Sequence, residues 1–193
     1  MTKNSFLALF FIAFGLAAVA FTNPVETIKI NTEKSVVSWK GYKVTGEHAG
    51  TIAVKNGELT FDNGKLTGGS FDIDMTTITC TDLEGDWAKK LEGHLKSADF
   101  FGVENHPTAK FVITKVASRG AAGEYKITGN LSIKDITKEI RFNATASKTG
   151  ATAEIQLDRT DFDVKYGSGS FFDSLGDKTI YDEFDLNVKL MLN

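Results

Sequence analysis

The sequence predicts an all-β protein, an extended antiparallel barrel of about eight strands with one short amphipathic helix at its mouth. Beyond Asn31, apolar residues recur at every second position in segment after segment, the period of a half-buried strand. Only two prolines, Pro24 and Pro107, interrupt the chain. One stretch, residues 86–101, repeats at the helical period instead.

Each strand shows one apolar face. Val37 and Trp39 share a parity, as do Ile52 and Val54, and along residues 65–75 Gly69, Phe71, Ile73 and Met75 alternate with Ser70, Asp72 and Asp74. The Asn63-Gly64 pair favours a two-residue turn with positive φ, so the segments on either side of it are antiparallel neighbours. Residues 108–117 form a further strand and end at a Gly-Ala-Ala-Gly turn. Tyr125, Ile127, Gly129, Leu131 and Ile133 then share a face, followed by Ile140, Phe142, Ala144 and Ala146 in the next strand. Ala153, Ile155 and Leu157 alternate after them, with Phe162, Val164 and Tyr166 continuing that strand past Arg159. Phe184 to Leu192 alternate to the end, giving eight or nine strands.

The helix carries Trp87, Leu91, Leu95 and Ala98 at steps of four, four and three, one stripe of a 3.6-residue helix, while Lys89, Lys90, Glu92 and Lys96 lie opposite. It is expected to lie over the barrel as a lid that presents Phe100 and Phe101 to the mouth. Gly93 softens it by about 1 kcal/mol relative to alanine.

Strands of around ten residues span about 33 Å at ~3.3 Å per residue, longer than a two-sheet sandwich requires. Of 15 phenylalanines only Phe6, Phe10, Phe11 and Phe14 precede residue 20, so the strands carry more aromatic bulk than a narrow filled barrel needs. A β-sandwich with exposed aromatics is the competing architecture and would suit an adhesive or carbohydrate-binding protein.

Residues 6–21 are almost unbroken apolar, follow Lys3 and contain Ala18-Val19-Ala20, the pattern of a cleaved secretory leader. Residues 1–20 are therefore read as a signal peptide and residues 21–193 as one domain, periplasmic or secreted, with no stable membrane insertion once the leader is removed. Cys80 stands alone, so no internal disulfide staples the domain. With 22 basic and 25 acidic side chains the chain is mildly acidic and lacks the basic patch that nucleic acid requires.

Several short stretches occur in a familiar order: His48-Ala49-Gly50; Gly68-Gly69-Ser70-Phe71 with Asp74; Leu91, His94-Leu95 and Asp99-Phe100-Phe101; Pro107-Thr108-Ala109-Lys110-Phe111; Gly129-Asn130-Leu131-Ser132-Ile133 with Thr137; and Arg159-Thr160-Asp161-Phe162. Through them the chain resembles the YceI-like proteins, bacterial lipocalin-like barrels associated with polyisoprenoid binding. It departs from that pattern at Ser132, where threonine is usual, and at Asp135 and Asp163, where glycine is common. The resemblance implies an exported, non-enzymatic carrier that holds a polyisoprenoid or similar long-chain lipid as its ligand, with no cofactor and no metal. A homodimer is compatible with it.

The expected pocket lining is Trp39, Phe71, Ile73, Leu91, Leu95, Phe100, Phe101, Phe111, Ile113, Tyr125, Ile127, Phe142 and Phe162. His48, His94 and Arg159 are candidates to meet a polar head group. Arg159 shares the parity of Ile155 and Leu157, so it points inward and needs a carboxylate, for which Asp161 is the candidate. The three histidines, His106 included, have no metal-ligand spacing, and Gly167-Ser168-Gly169-Ser170 lacks the strand-to-helix context of a nucleophile. A hydrolase or isomerase acting on lipid, with His48 or His94 as general base, is the enzymatic alternative.

Overall fold

The computed structural model describes residues 24–193; the leader inferred for residues 1–20 lies outside the described residues. Nine strands form a single sheet: β1 (Glu26–Lys29), β2 (Val36–Lys43), β3 (Gly46–Asp62), β4 (Lys65–Cys80), β5 (Thr108–Ser118), β6 (Glu124–Ile133), β7 (Ile136–Ser147), β8 (Gly150–Asp158) and β9 (Ile180–Met191). Helix α1 (Gly85–Lys96) connects β4 to β5. From β2 to β9 every strand pairs antiparallel with its neighbours in sequence, and β2 pairs with β9, which closes an eight-stranded up-and-down barrel. Closure rules out the sandwich. Strand β1 is the ninth and lies beside the far half of β3, from Glu26↔Phe61 to Lys29↔Glu58.

Turn chemistry places two of the hairpins. Asn63 (φ 49°) and Gly64 (φ 77°) form the tight β3–β4 turn, while Lys134 (φ 50°) and Asp135 (φ 63°) do the same between β6 and β7. The alternation then decides what the barrel encloses. Val37, Ile52, Leu59, Ile73, Phe111, Ile127, Leu131 and Val188 are buried along its inner face.

The interior is organised by aromatic rings laid over glycines. The Phe71, Phe111 and Phe142 rings pack at a tilt across β4, β5 and β7, with centroids 5.6 Å apart in the first pair and 5.4 Å in the second. A methyl group on Gly129 would lie 2.3 Å from the Phe111 ring and 2.6 Å from the Val112 carbonyl. At Gly50, which pairs with Trp39, it would meet the Thr79 carbonyl at 1.8 Å and the indole at 2.6 Å. Only hydrogen at these two positions lets the rings lie flat against the wall.

Three sequence expectations are corrected. The helix ends at Lys96, two residues before Ala98, and Trp87 is 70% exposed; Leu91 is half-buried and Leu95 alone is buried, so the apolar stripe narrows to its second half. Glu92, expected to face water, instead accepts a hydrogen bond from the Cys80 amide at 2.9 Å and ties α1 to the end of β4. Past Asp158 the chain does not continue as a strand. It turns through a 3₁₀ helix (Arg159–Phe162) that buries Phe162 and Val164 and leaves Tyr166 exposed. Asp158 initiates that turn by accepting from the Thr160 amide at 2.8 Å.

Gly129→Ala is expected to destabilise the barrel by about 1–3 kcal/mol through overpacking against a carbonyl that cannot move away. The midpoint of urea unfolding measures it, and an unchanged midpoint contradicts the account of the ring-over-glycine contacts.

Candidate functional site

The inner face encloses two apolar cavities. The one nearer the helix, about 80 Å³, is walled by Trp39 of β2, Ile52 of β3, Ile78 of β4, Leu95, Phe100 and Phe101 of the helix and the turn after it, Arg159, and Ile180, Phe184 and Leu186 of β9. The other, about 40 Å³, lies among Phe71, Phe111, Ile113, Ile127, Phe142, Ala144, Ala153, Ile155, Val188 and Leu190. Ile155 pairs with Leu186, so the two cavities meet at that rung.

Of the residues expected in the lining, Trp39, Leu95, Phe100 and Phe101 border the first cavity, and Phe71, Phe111, Ile113, Ile127 and Phe142 border the second. Ile73, Tyr125 and Phe162 are buried core residues that border neither, and Leu91 packs half-buried against the core. Sequence reading missed Ile52, Ile78, Phe184 and Leu186. The alternation of Phe184 and Leu186 was visible, but nothing in it says that β9 closes onto β2 beside Trp39.

The end of the barrel at α1 is stitched shut. After Lys96 the chain makes tight turns, with Phe101 N donating to Leu95 O at 3.1 Å and Gly102 N to Ser97 O at 2.7 Å, and these turns fold Phe100 and Phe101 inward. The two rings meet edge-to-face with centroids 5.1 Å apart, and His94 packs edge-on between Phe100 and Tyr166. Arg159, 3% exposed, lies under Phe100 with its guanidinium carbon 5.6 Å from the ring centre. It donates to the carbonyls of Tyr181, Val164 and Ile180 at 3.0, 2.6 and 3.0 Å, and to Asp182 at 3.3 Å. Burial lowers the pKa of the guanidinium, and Asp182 partly offsets this. Asp161, the expected partner, pairs with Lys138 instead, because the 3₁₀ turn swings it off the strand's inner face. Arg159 is thus bound to the protein rather than held free for a ligand.

A second polar cluster sits where β3 begins and β4 ends. The carboxylate of Asp82 accepts from Ala49 N at 3.0 Å and from the Cys80 thiol at 3.1 Å, and its other oxygen lies 2.9 Å from His48 Nδ1. Partial burial raises the Asp82 pKa, but the hydrogen bonds from Ala49, Cys80 and His48 outweigh it and lower the value from an ordinary 3.8 to about 2. Burial and the bond to Asp82 raise the pKa of the Cys80 thiol, which keeps it protonated and a poor nucleophile. Neither His48 nor His94 borders a cavity, and among the described residues no three His, Cys, Asp or Glu side chains are grouped to hold a metal ion. No helix among the described residues is long and apolar enough to cross a membrane.

A closed meander of eight strands around an apolar interior, capped at one end by a helix and its aromatic turn, defines a lipocalin-like barrel. Residues 28–192 match the model of the YceI-like domain, and the chain belongs to that family. A UPF0312 protein of Pseudomonas putida strain W619 is 30% identical over 184 residues, spanning 86% of this chain and 89% of the relative. Among solved structures, BcnA of Burkholderia cenocepacia is similar with a TM-score of 0.61 at 24% identity, covering 83% of this chain and 98% of BcnA. A polyisoprenoid binding domain from Saccharophagus degradans, implicated in plant cell wall breakdown, has a TM-score of 0.58 at 12% identity, covering 86% and 97%. At these identities the structures share the fold.

The depressed pKa of Asp82 gives an acid-side signature. Its contribution to stability is complete above the ordinary value of 3.8 and is lost as pH falls toward about 2. Wild-type protein is therefore expected to lose more stability across that interval than Asp82→Asn, and urea unfolding at a series of pH values compares the two. Parallel losses would contradict the cluster's role.

Proposed function

We propose that the protein is an exported carrier that holds a long-chain apolar lipid of the isoprenoid type inside the barrel. The observation that carries this reading is the chemistry of the interior: the cavities are walled mainly by aliphatic and aromatic side chains, and the guanidinium that borders the first is already held by three backbone carbonyls and Asp182. Such a surface offers a tail about 0.8 kcal/mol per buried methylene and offers a charged group nothing to pair with. The family and the fold neighbour described as a polyisoprenoid binding domain support the same class of ligand. The apolar leader pattern in residues 6–21 supports export.

The cavities are smaller than the roughly 300–1,000 Å³ of a drug-sized site. A long tail is therefore accommodated by displacing side chains, with Trp39, Phe101, Phe142 and Phe184, all half-buried, the rings freest to turn. The head group that suits this interior is uncharged, since the Arg159 guanidinium already gives four hydrogen bonds to three carbonyls and to the Asp182 carboxylate. A lipid hydrolase or isomerase gains no support, because the candidate bases His48 and His94 stand outside both cavities.

In a Trp87→Phe background Trp39 is the only tryptophan and reports on the cavity. Dansyl-labelled farnesol is expected to quench it by energy transfer, saturating near one equivalent, and unlabelled farnesol should displace the probe at least about tenfold more effectively than farnesyl diphosphate, whose charge must be desolvated without a partner. The opposite ranking overturns the neutral head, and no transfer with any apolar probe overturns the carrier.

A further inference from the structure

The wall of the barrel is not uniformly knitted. Between β7 and β8 the ladder has rungs only at Ser147↔Gly150, Ala146↔Ala151, Thr145↔Thr152 and Ala144↔Ala153. Beyond Ala144 the strands part. Residues 136–143 remain paired with β6 and residues 154–158 with β9, but no rung joins them to each other. At the far end the wall closes again, where Lys138 pairs with Asp161 at 3.0 Å and Lys134 donates to the Asp163 carbonyl at 3.0 Å. The result is a side window framed on all sides, about 17 Å long for five residues at ~3.3 Å each.

The side chains at this window are those of the cavity. Phe142 and Ala144 on one edge and Ala153 and Ile155 on the other line the second cavity, and all four are half-buried, unlike the buried Ile127 and Phe111 on the neighbouring strands β6 and β5. Alanines on both sides of the last rung leave the gap unfilled. The ladder between β4 and β5 also stops short, at Ser70↔Val112, but there Tyr125 is buried behind the gap and its hydroxyl accepts a hydrogen bond from Leu66 N at 3.1 Å. Nothing equivalent crosses between β7 and β8. Outside the last rungs lies an open polar groove of about 500 Å³ between Arg119, Glu124, Asn143, Thr145, Thr152 and Glu154.

We infer that the β7–β8 window is the passage through which the apolar chain of the ligand moves into and out of the barrel, with its polar end left in the outer groove. This rests on the carrier reading. The α1 plug cannot open as readily, since moving Phe100 and Phe101 lifts a ring off Arg159 and disturbs the carbonyls it holds, whereas the window has no interstrand hydrogen bonds to break. Helix α1 is then a fixed plug rather than the moving lid that its sequence suggests.

The test uses the full protein in a Cys80→Ser background. Arg141→Cys with Gln156→Cys places two exposed thiols on opposite edges of the window, and a short bis-maleimide spans them. Stopped-flow uptake of dansyl-labelled farnesol is expected to slow by at least about tenfold, an added barrier of ~1.4 kcal/mol, relative to the same variant capped with N-ethylmaleimide. Asn143→Cys with Glu154→Cys, one rung past Ala144↔Ala153, gives a disulfide version in which reductant restores the rate. Circular dichroism verifies the fold in each case. Unchanged uptake in the bridged, folded protein, together with faster uptake in Leu95→Ala, overturns the window and assigns the passage to the helix end while leaving the carrier intact. Failure of the unbridged protein to take up the probe at all removes the carrier reading and the window with it.

Discussion

Closure of the sheet is the constraint on which everything else depends. Once β9 pairs with β2, the strand edges left among the described residues are the outer side of β1 and the places where a ladder stops short, and every second side chain of the barrel is committed to the interior. A 17-residue β3 makes this possible by pairing with β2 along its first half, with β1 along its second and with β4 along nearly its whole length. The interior is then filled by rings, and the glycines opposite them are as much a part of the packing as the rings themselves. Backbone hydrogen bonds hold the wall, so the wall is weakest where they are missing. Shape and access thus follow from one ladder.

Much of this was legible in the sequence, because a period of two is a direct imprint of a sheet with one wet and one dry face. Phe71, Phe111, Ile127 and Phe142 were placed on the inner face by parity alone, and the Asn63-Gly64 turn by the need for positive φ at both positions. Asp135 and Asp163, noted as departures from a glycine pattern, adopt φ of 63° and 58°, the left-handed backbone that glycine tolerates most easily.

The failures have physical causes too. A helical stripe says which residues share a side, not how much of that side is covered, and α1 rests only its second half on the barrel, which leaves Trp87 in water. Parity fails beyond Asp158 because a side-chain cap starts a 3₁₀ turn, and with it went the expected Arg159–Asp161 pair. The window was invisible for a different reason: β7 and β8 each alternate normally, and only their mutual register tells where pairing ends. No single-strand pattern encodes that.

The central claim, that the barrel carries a long-chain lipid, is tested most directly by mass spectrometry of an organic extract of protein purified without detergent from a bacterial host that makes polyisoprenoids. A co-purifying long-chain molecule with an uncharged head, near one equivalent per chain and lost in a Phe142→Asp variant that retains its circular dichroism, is the expected result. Repeated extraction of folded protein with no such molecule, including after incubation with native membranes, would contradict it.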